Sequence, residues 1–231
     1  EIISKEDKFR ETLNSNLNKL SEGNYELICG NITSLIGDKD YLNEQFKTIT
    51  LETIFNKSIS EQSFSSLYAK LCNNIIQIYG KDFQTAILKR TNDFYENNII
   101  KTFTYDQTNI SYDEMCEINK KKSKLIGSFT FIGGLYLHGI ITSKIVLKYF
   151  DTLIQSTIEN SNSSDIEKYI ECLTTLVSTI GPKMEKDLSD DFEIKIINQL
   201  KNITTDKSRF KPRTRFMVLD LFDLRKNNWG Q

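Results

Sequence analysis

Phe64-Ser65-Ser66-Leu67-Tyr68-Ala69-Lys70-Leu71-Cys72-Asn73-Asn74-Ile75-Ile76 is the stretch of this 231-residue chain that decides its fold class. Phe64, Leu67, Tyr68, Leu71, Cys72, Ile75 and Ile76 stand at i, i+3, i+4, i+7, i+8, i+11 and i+12, the spacing of one buried face of a helix. Ser60 ahead of this stretch and Gly80 after it supply the start and the stop.

Outward from it, the same period recurs along almost the whole chain. Ser21 ahead of Tyr25, Leu27 and Ile28 marks another helix start, Ser111 with Glu114 forms a capping box, Gly181-Pro182 reads as a stop, and Pro212 suits a first helical position. The spacing predicts helices over 5–18, 22–36, 40–58, 61–79, 82–97, 112–138, 142–158, 164–180, 188–203 and 212–228. Grouped as antiparallel pairs, they form five units of roughly 40–47 residues, the period of HEAT-type solenoids. The expectation is one all-α, crescent-shaped α-solenoid spanning residues 1–231, with flexible residues at about 1–12 and a flexible surface loop at about 98–112.

Composition agrees with long helices. Only 2 prolines and 10 glycines punctuate the chain, too few for a sandwich or barrel that turns every few residues, and 39% hydrophobic residues suffice for a continuous core. Thirty Lys and Arg against 31 Asp and Glu leave a net charge of -1, so an electrostatic partner must be met by a local patch. Cys29, Cys72, Cys116 and Cys172 lie far apart among apolar neighbours and read as reduced core residues. No apolar run approaches the roughly 18 residues that span a membrane, and no basic-then-apolar leader opens the chain, so a cytoplasmic, non-membrane, monomeric protein is expected. The five Asn-x-Ser/Thr triplets are discounted in that setting.

Near the C-terminus, Arg215-Phe216-Met217-Val218-Leu219-Asp220-Leu221-Phe222-Asp223-Leu224-Arg225-Lys226-Asn227-Asn228-Trp229 is an apolar helix interrupted only by two aspartates and closing on the sole tryptophan. It reads as the last helix of the fifth pair, with its apolar residues sealing the array and Asp220 and Asp223 marking an outward edge. Just before and into it, Lys207, Arg209, Lys211, Arg213 and Arg215 place five cations in nine residues. Positive charge at a helix start opposes the dipole, so the run points to RNA phosphate or an acidic protein surface, or else to a solvated loop. Lys120, Lys121, Lys122 and Lys124 form a second run, read as a solvated helix face ahead of a phosphate site.

Catalysis has no support. His138 is the only histidine and no nucleophile motif accompanies it, so it reads as a structural helix end. Asp190 and Asp191 suit a helix N-terminus, no Gly-Lys-Ser or Gly-Lys-Thr follows Gly127, Gly133 or Gly134, and no metal or cofactor is expected. Those glycines read as points of close helix approach.

Leu17-Asn18-Lys19-Leu20-Ser21 with Tyr25, then Ile54-Phe55-Asn56-Lys57, and then the Phe64–Cys72 stretch resemble the opening helices of the middle domain of eukaryotic translation initiation factor 4G. The likeness continues through Phe131-Ile132-Gly133-Gly134-Leu135-Tyr136 and Glu171-Cys172-Leu173 to Thr179-Ile180-Gly181, and ends in the Arg215–Trp229 stretch. The resemblance implies a non-enzymatic crescent of five HEAT-like pairs that binds the DEAD-box RNA helicase initiation factor 4A, stimulates it conformationally, binds messenger RNA, and meets other initiation factors. A related scaffold of nonsense-mediated decay or cap binding, with a different partner, is the alternative.

The resemblance places helicase contacts at Leu17, Leu20, Tyr25 and Phe131; for each, plain core packing is the competing reading. Gly134 stands where the family carries glutamate, and Leu137, His138 and Gly139 replace a stretch that is commonly Lys-Leu-Lys, which puts contacts at that helix end in question.

Overall fold

The computed structural model describes residues 4–100, 111–159 and 163–230, and among them there is helix and no strand. The helices are α1 (Lys5–Leu17), α2 (Tyr25–Ile36), α3 (Glu44–Ser60), α4 (Ser65–Tyr79), α5 (Lys81–Tyr95), α6 (Tyr112–Leu137), α7 (Ser143–Glu159), α8 (Ser163–Leu188), α9 (Asp190–Phe192), α10 (Asn198–Thr205) and α11 (Pro212–Lys226). A π-helical turn, Glu193–Ile197, joins α9 to α10. Successive helices pair, α1 with α2, α3 with α4, α5 with α6, α7 with α8 and α10 with α11, while α2, α4, α6, α8 and α11 stack in that order as one layer. This is the expected α-solenoid.

The starts are set by side chains that satisfy otherwise orphaned amides. Asn43 Oδ1 accepts from Gln45 N and Phe46 N at 3.0 and 3.3 Å. Ser111 Oγ accepts from Glu114 N at 3.3 Å while Glu114 accepts from Ser111 N at 2.9 Å, the capping box read from the sequence. Helix α6 is the hub, touching α3, α4, α5, α7 and α8 and burying Phe129, Ile132, Leu135 and Tyr136 almost completely. Each such residue contributes about 1.5–3 kcal/mol by burial. A Cβ at Gly134 would lie 2.8 Å from Ala69 Cβ of α4, and one at Gly133 would lie 2.7 Å from Thr179 Cγ2 of α8, so these glycines do set close helix approach.

Four boundaries differ from expectation. Residues 5–12, expected flexible, belong to α1 because Phe9 and Leu13 are buried against the next pair, Phe9 edge-on to Phe46 at 4.9 Å. The predicted loop yields residues 98–100 to a π-helical turn that extends α5; residues 101–110 lie outside the described residues. Helix α8 runs through Gly181-Pro182 instead of stopping, since Val177, Ile180 and Met184 bury fully on both sides of the proline and offset its missing hydrogen bond, a loss of about 3 kcal/mol. Helix α11 stops at Lys226 and does not seal the array: Thr214, Val218 and Leu221 are buried, whereas Phe216 is 60% exposed and Leu219 40%. Among the described residues α11 packs on α8 and α10, which leaves its other side to solvent.

Candidate functional site

The turn between α1 and α2 is built by local bonds and then fastened to the second pair. Ser21 N donates to Asn24 Oδ1 at 2.8 Å and Asn24 Nδ2 to Lys19 O at 2.6 Å. Lys57 of α3 reaches across to Asn18 Oδ1 at 2.8 Å while pairing with Glu61 at 2.6 Å. Leu17, Leu20 and Tyr25 come together here, but all three are buried, at 1%, 3% and 4% exposure. Tyr25 carries Lys70 Nζ 3.7 Å above its ring, a cation–π contact, and Lys70 also lies 3.6 Å from Glu26. Burial first, and then the neighbouring Cys29, push the Tyr25 phenol well above its ordinary range.

What the turn offers to solvent is different: Lys19, Glu22, Glu26 and, at 67% exposure, Leu27. From the sequence, Leu27 is named with Tyr25 and Ile28 only as lying after the Ser21 cap, without a face assigned to it. The signal was present, since Tyr25, Ile28, Cys29, Ile32 and Ile36 already complete an i, i+3, i+4, i+7, i+11 stripe that excludes it.

Phe131 is a core residue of α6, 1% exposed and edge-on to Phe55 at 6.1 Å. His138 caps α6 against Ser66 and Lys70; burial and then the Lys70 charge hold its imidazole below the usual range. Cys29, Cys72 and Cys172 are buried free thiols, and burial pushes Cys72 up to about 12. Asp191 pairs with Lys195 at 2.6 Å one turn along, and Asp220 and Asp223 are exposed.

The basic run divides by role. Arg209 donates through Nη2 to the carbonyls of Thr157 (3.1 Å) and Ile158, placing a cation at the C-terminal end of α7, where the helix dipole favours it. Local stability therefore does explain this residue, contrary to the expectation for the run as a whole. Arg213 pairs with Glu167 at 2.9 Å and lies 4.0 Å from Glu171, whose other oxygen pairs with Lys122 of the second lysine run at 2.8 Å. Lys207 and Lys211 are exposed, Arg215 is half-buried, and none of the three has a carboxylate partner among the described residues.

The chain end holds a clamp that sequence reasoning missed. Arg225 donates to Glu185 Oε1 through Nη2 at 2.6 Å and to Glu193 through Nη1 at 2.8 Å, and Trp229 Nε1 donates to Glu185 Oε2 at 3.0 Å. The indole covers Gly181, filling the space a Cβ would take, and meets Phe192 edge-on at 6.3 Å. Burial pushes the Glu185 carboxyl up, but the bonds from Arg225 and Trp229 outweigh it and hold it below the usual range.

Paired helices stacked in one layered array define a helical-repeat scaffold. Residues 10–228 match the MIF4G domain family, and the chain belongs to that family. It is 24% identical over its whole length to wheat (Triticum aestivum) eukaryotic translation initiation factor 4G, covering 16% of that protein. To mouse (Mus musculus) eukaryotic translation initiation factor 4 gamma 1 it is 25% identical over 97% of the chain and 15% of the relative. A von Willebrand factor A domain-containing protein of Dictyostelium discoideum is 28% identical over 93% of the chain and 10% of its own length. The chain thus spans less than a fifth of each of these relatives. Among solved structures, the MIF4G domain of Trypanosoma cruzi translation initiation factor EIF4G5 superposes with a TM-score of 0.61 at 21% identity, covering 96% of this chain and 97% of that one. No described helix is long and apolar enough to cross a membrane.

Proposed function

We propose that this domain is a translation-initiation scaffold that binds a DEAD-box RNA helicase of the initiation factor 4A class and holds its two lobes in a productive arrangement. The observation that carries this reading is the end-to-end match to initiation factor 4G relatives, in which the array is matched from its first pair to its last. A scaffold stimulates a two-lobed enzyme only if it binds one lobe arrangement more tightly than the others.

The helicase contact nearest the Leu17–Tyr25 turn is assigned to its solvent side. Leu17, Leu20 and Tyr25 shape the turn from within, and Leu27 is the large apolar side chain that the start of α2 offers to a partner, with Glu26 beside it in the sequence. Phe131 supports the hub from the core. Titration with the helicase from the same source tests this: Leu27→Asp should weaken binding tenfold or more, about 1.4 kcal/mol, with an unchanged melting temperature. Absence of wild-type binding and of ATPase stimulation rejects the reading; wild-type affinity in the variant rejects only the site.

RNA contact is proposed at Lys207 and Lys211 with Arg215, which have no carboxylate partner among the described residues. Single-stranded RNA held by few phosphates shows a shallow salt dependence, roughly 0.7 in log–log slope per contact, and Lys207→Ala/Lys211→Ala should remove about 1.4 of it. A scaffold outside initiation, meeting a different partner, is the second reading. It is favoured by the Dictyostelium relative, in which a matching segment belongs to a von Willebrand factor A domain-containing protein.

A further inference from the structure

Where α8, the π-helical turn, α10 and α11 meet, a groove of about 740 Å³ opens beside the Arg225 clamp. That volume lies within the range that accommodates small ligands and short peptide segments. Its apolar lining is Pro182, Ile197, Phe222 and Trp229. Lys186 and Lys226 also line it and are exposed, and neither has a carboxylate partner among the described residues.

The other charges nearby are spent on one another. Arg225 is held by Glu185 and Glu193, and Lys201 pairs with Glu193 at 2.6 Å. Two full positive charges at Lys186 and Lys226 therefore outweigh the half-charges of the α8 and α11 C-termini. The wall formed by Trp229 is held in an unusual backbone: Asn228 and Trp229 have φ of 52° and 60°, the left-handed region that Asn tolerates and a bulky residue such as Trp rarely adopts. Packing of the indole on Gly181 and its bond to Glu185 hold it there, so that it lines the groove ready-made.

We propose that this groove docks a short acidic peptide segment in which an aliphatic or aromatic side chain is flanked by aspartates or glutamates. The apolar side chain lies on Phe222 and Trp229, and the flanking carboxylates reach Lys186 and Lys226. A polyphosphate chain fits less well, since the site presents two free cations around an apolar floor and no arginine left unpaired. The inference uses none of the residues assigned to helicase or RNA and stands whether or not those readings hold.

Trp229 is the sole tryptophan of the sequence, so its emission reports occupancy of the groove directly. The domain is titrated with the end-blocked peptide Asp-Glu-Leu-Phe-Asp-Glu, its basic counterpart Lys-Arg-Leu-Phe-Lys-Arg, the apolar-deleted Asp-Glu-Ser-Gly-Asp-Glu, and a uridine hexamer. The expected result is a saturable change in emission with the first probe alone, weakened at least tenfold in Lys186→Glu/Lys226→Glu, a variant whose melting temperature and far-UV circular dichroism match wild type. Three results overturn the proposal: no emission change with the acidic peptide, equal binding by the charge-reversed variant, or an equal response to any of the other three probes.

Discussion

A leucine at 3% exposure and a leucine at 67% exposure, seven positions apart, answer a mutational test in opposite ways. Leu20→Ala removes core atoms and should cost about 2–5 kcal/mol in urea unfolding, and Phe131→Ala about 3–5 kcal/mol, so any loss of partner binding in either would follow from loss of folded protein. Leu27→Asp should leave the unfolding midpoint unchanged. His138 is read through pH. Its folded pKa lies below the unfolded value near 6.5, so the unfolded chain binds the proton more readily and stability rises with pH. His138→Gln should therefore remove part of the stability that wild type loses as pH falls from about 7 through 6.5 and below. That Leu17, Leu20 and Tyr25 lie together was legible in their order along the chain. The inward facing of Leu17 and Tyr25 was legible too, since they continue the Phe9–Leu13 and Ile28–Ile36 stripes, but that of Leu20 was not, because it lies between the two helices, where no period separates an inward leucine from an outward one.

Among the elements, α8 shows where local signals yield to packing. Gly181-Pro182 is a stop in isolation, yet buried residues before and after it carry the helix on to Leu188, and the same glycine becomes the seat of the Trp229 ring. Gly181→Ala should displace that ring. The check is a fluorescence red shift together with a destabilisation of about 1–3 kcal/mol, the usual cost of overpacking. The clamp above it is partly exposed, so screening keeps its contribution near 1 kcal/mol. Glu185 and Glu193 are both held below their ordinary range; their stabilisation is present above the unfolded carboxylate pKa and is lost as pH falls through the folded values. Arg225→Ala should flatten that acid limb of the stability profile. The partners of Arg225 lie 32 and 40 residues away in sequence, a distance at which charge pairing leaves no pattern to read, whereas the helix and its amphipathic period were plain.

Across the whole molecule, helix count and pairing order were legible because each helix carries the same apolar period, while which side chains of α11 stay exposed depended on its packing against α8 and α10. Stability in such a stack is a sum over adjacent units, so protection against hydrogen exchange should be greatest in α6 and α8 and fall toward α1 and α11. Uniform protection along the stack would contradict that picture. Glu171 adds a longer link: one carboxylate on α8 is shared by Lys122 of α6 and Arg213 of α11. Two cations drawing on one anion are rivals, so removing either lets the other settle closer. A double-mutant cycle of Lys122→Met and Arg213→Met should show the pair costing more than the two singles together, by roughly 0.5 kcal/mol. The third and fifth repeats are therefore in competition for a common counter-ion, and an anion that captured Arg213 from outside would tighten the array's own middle.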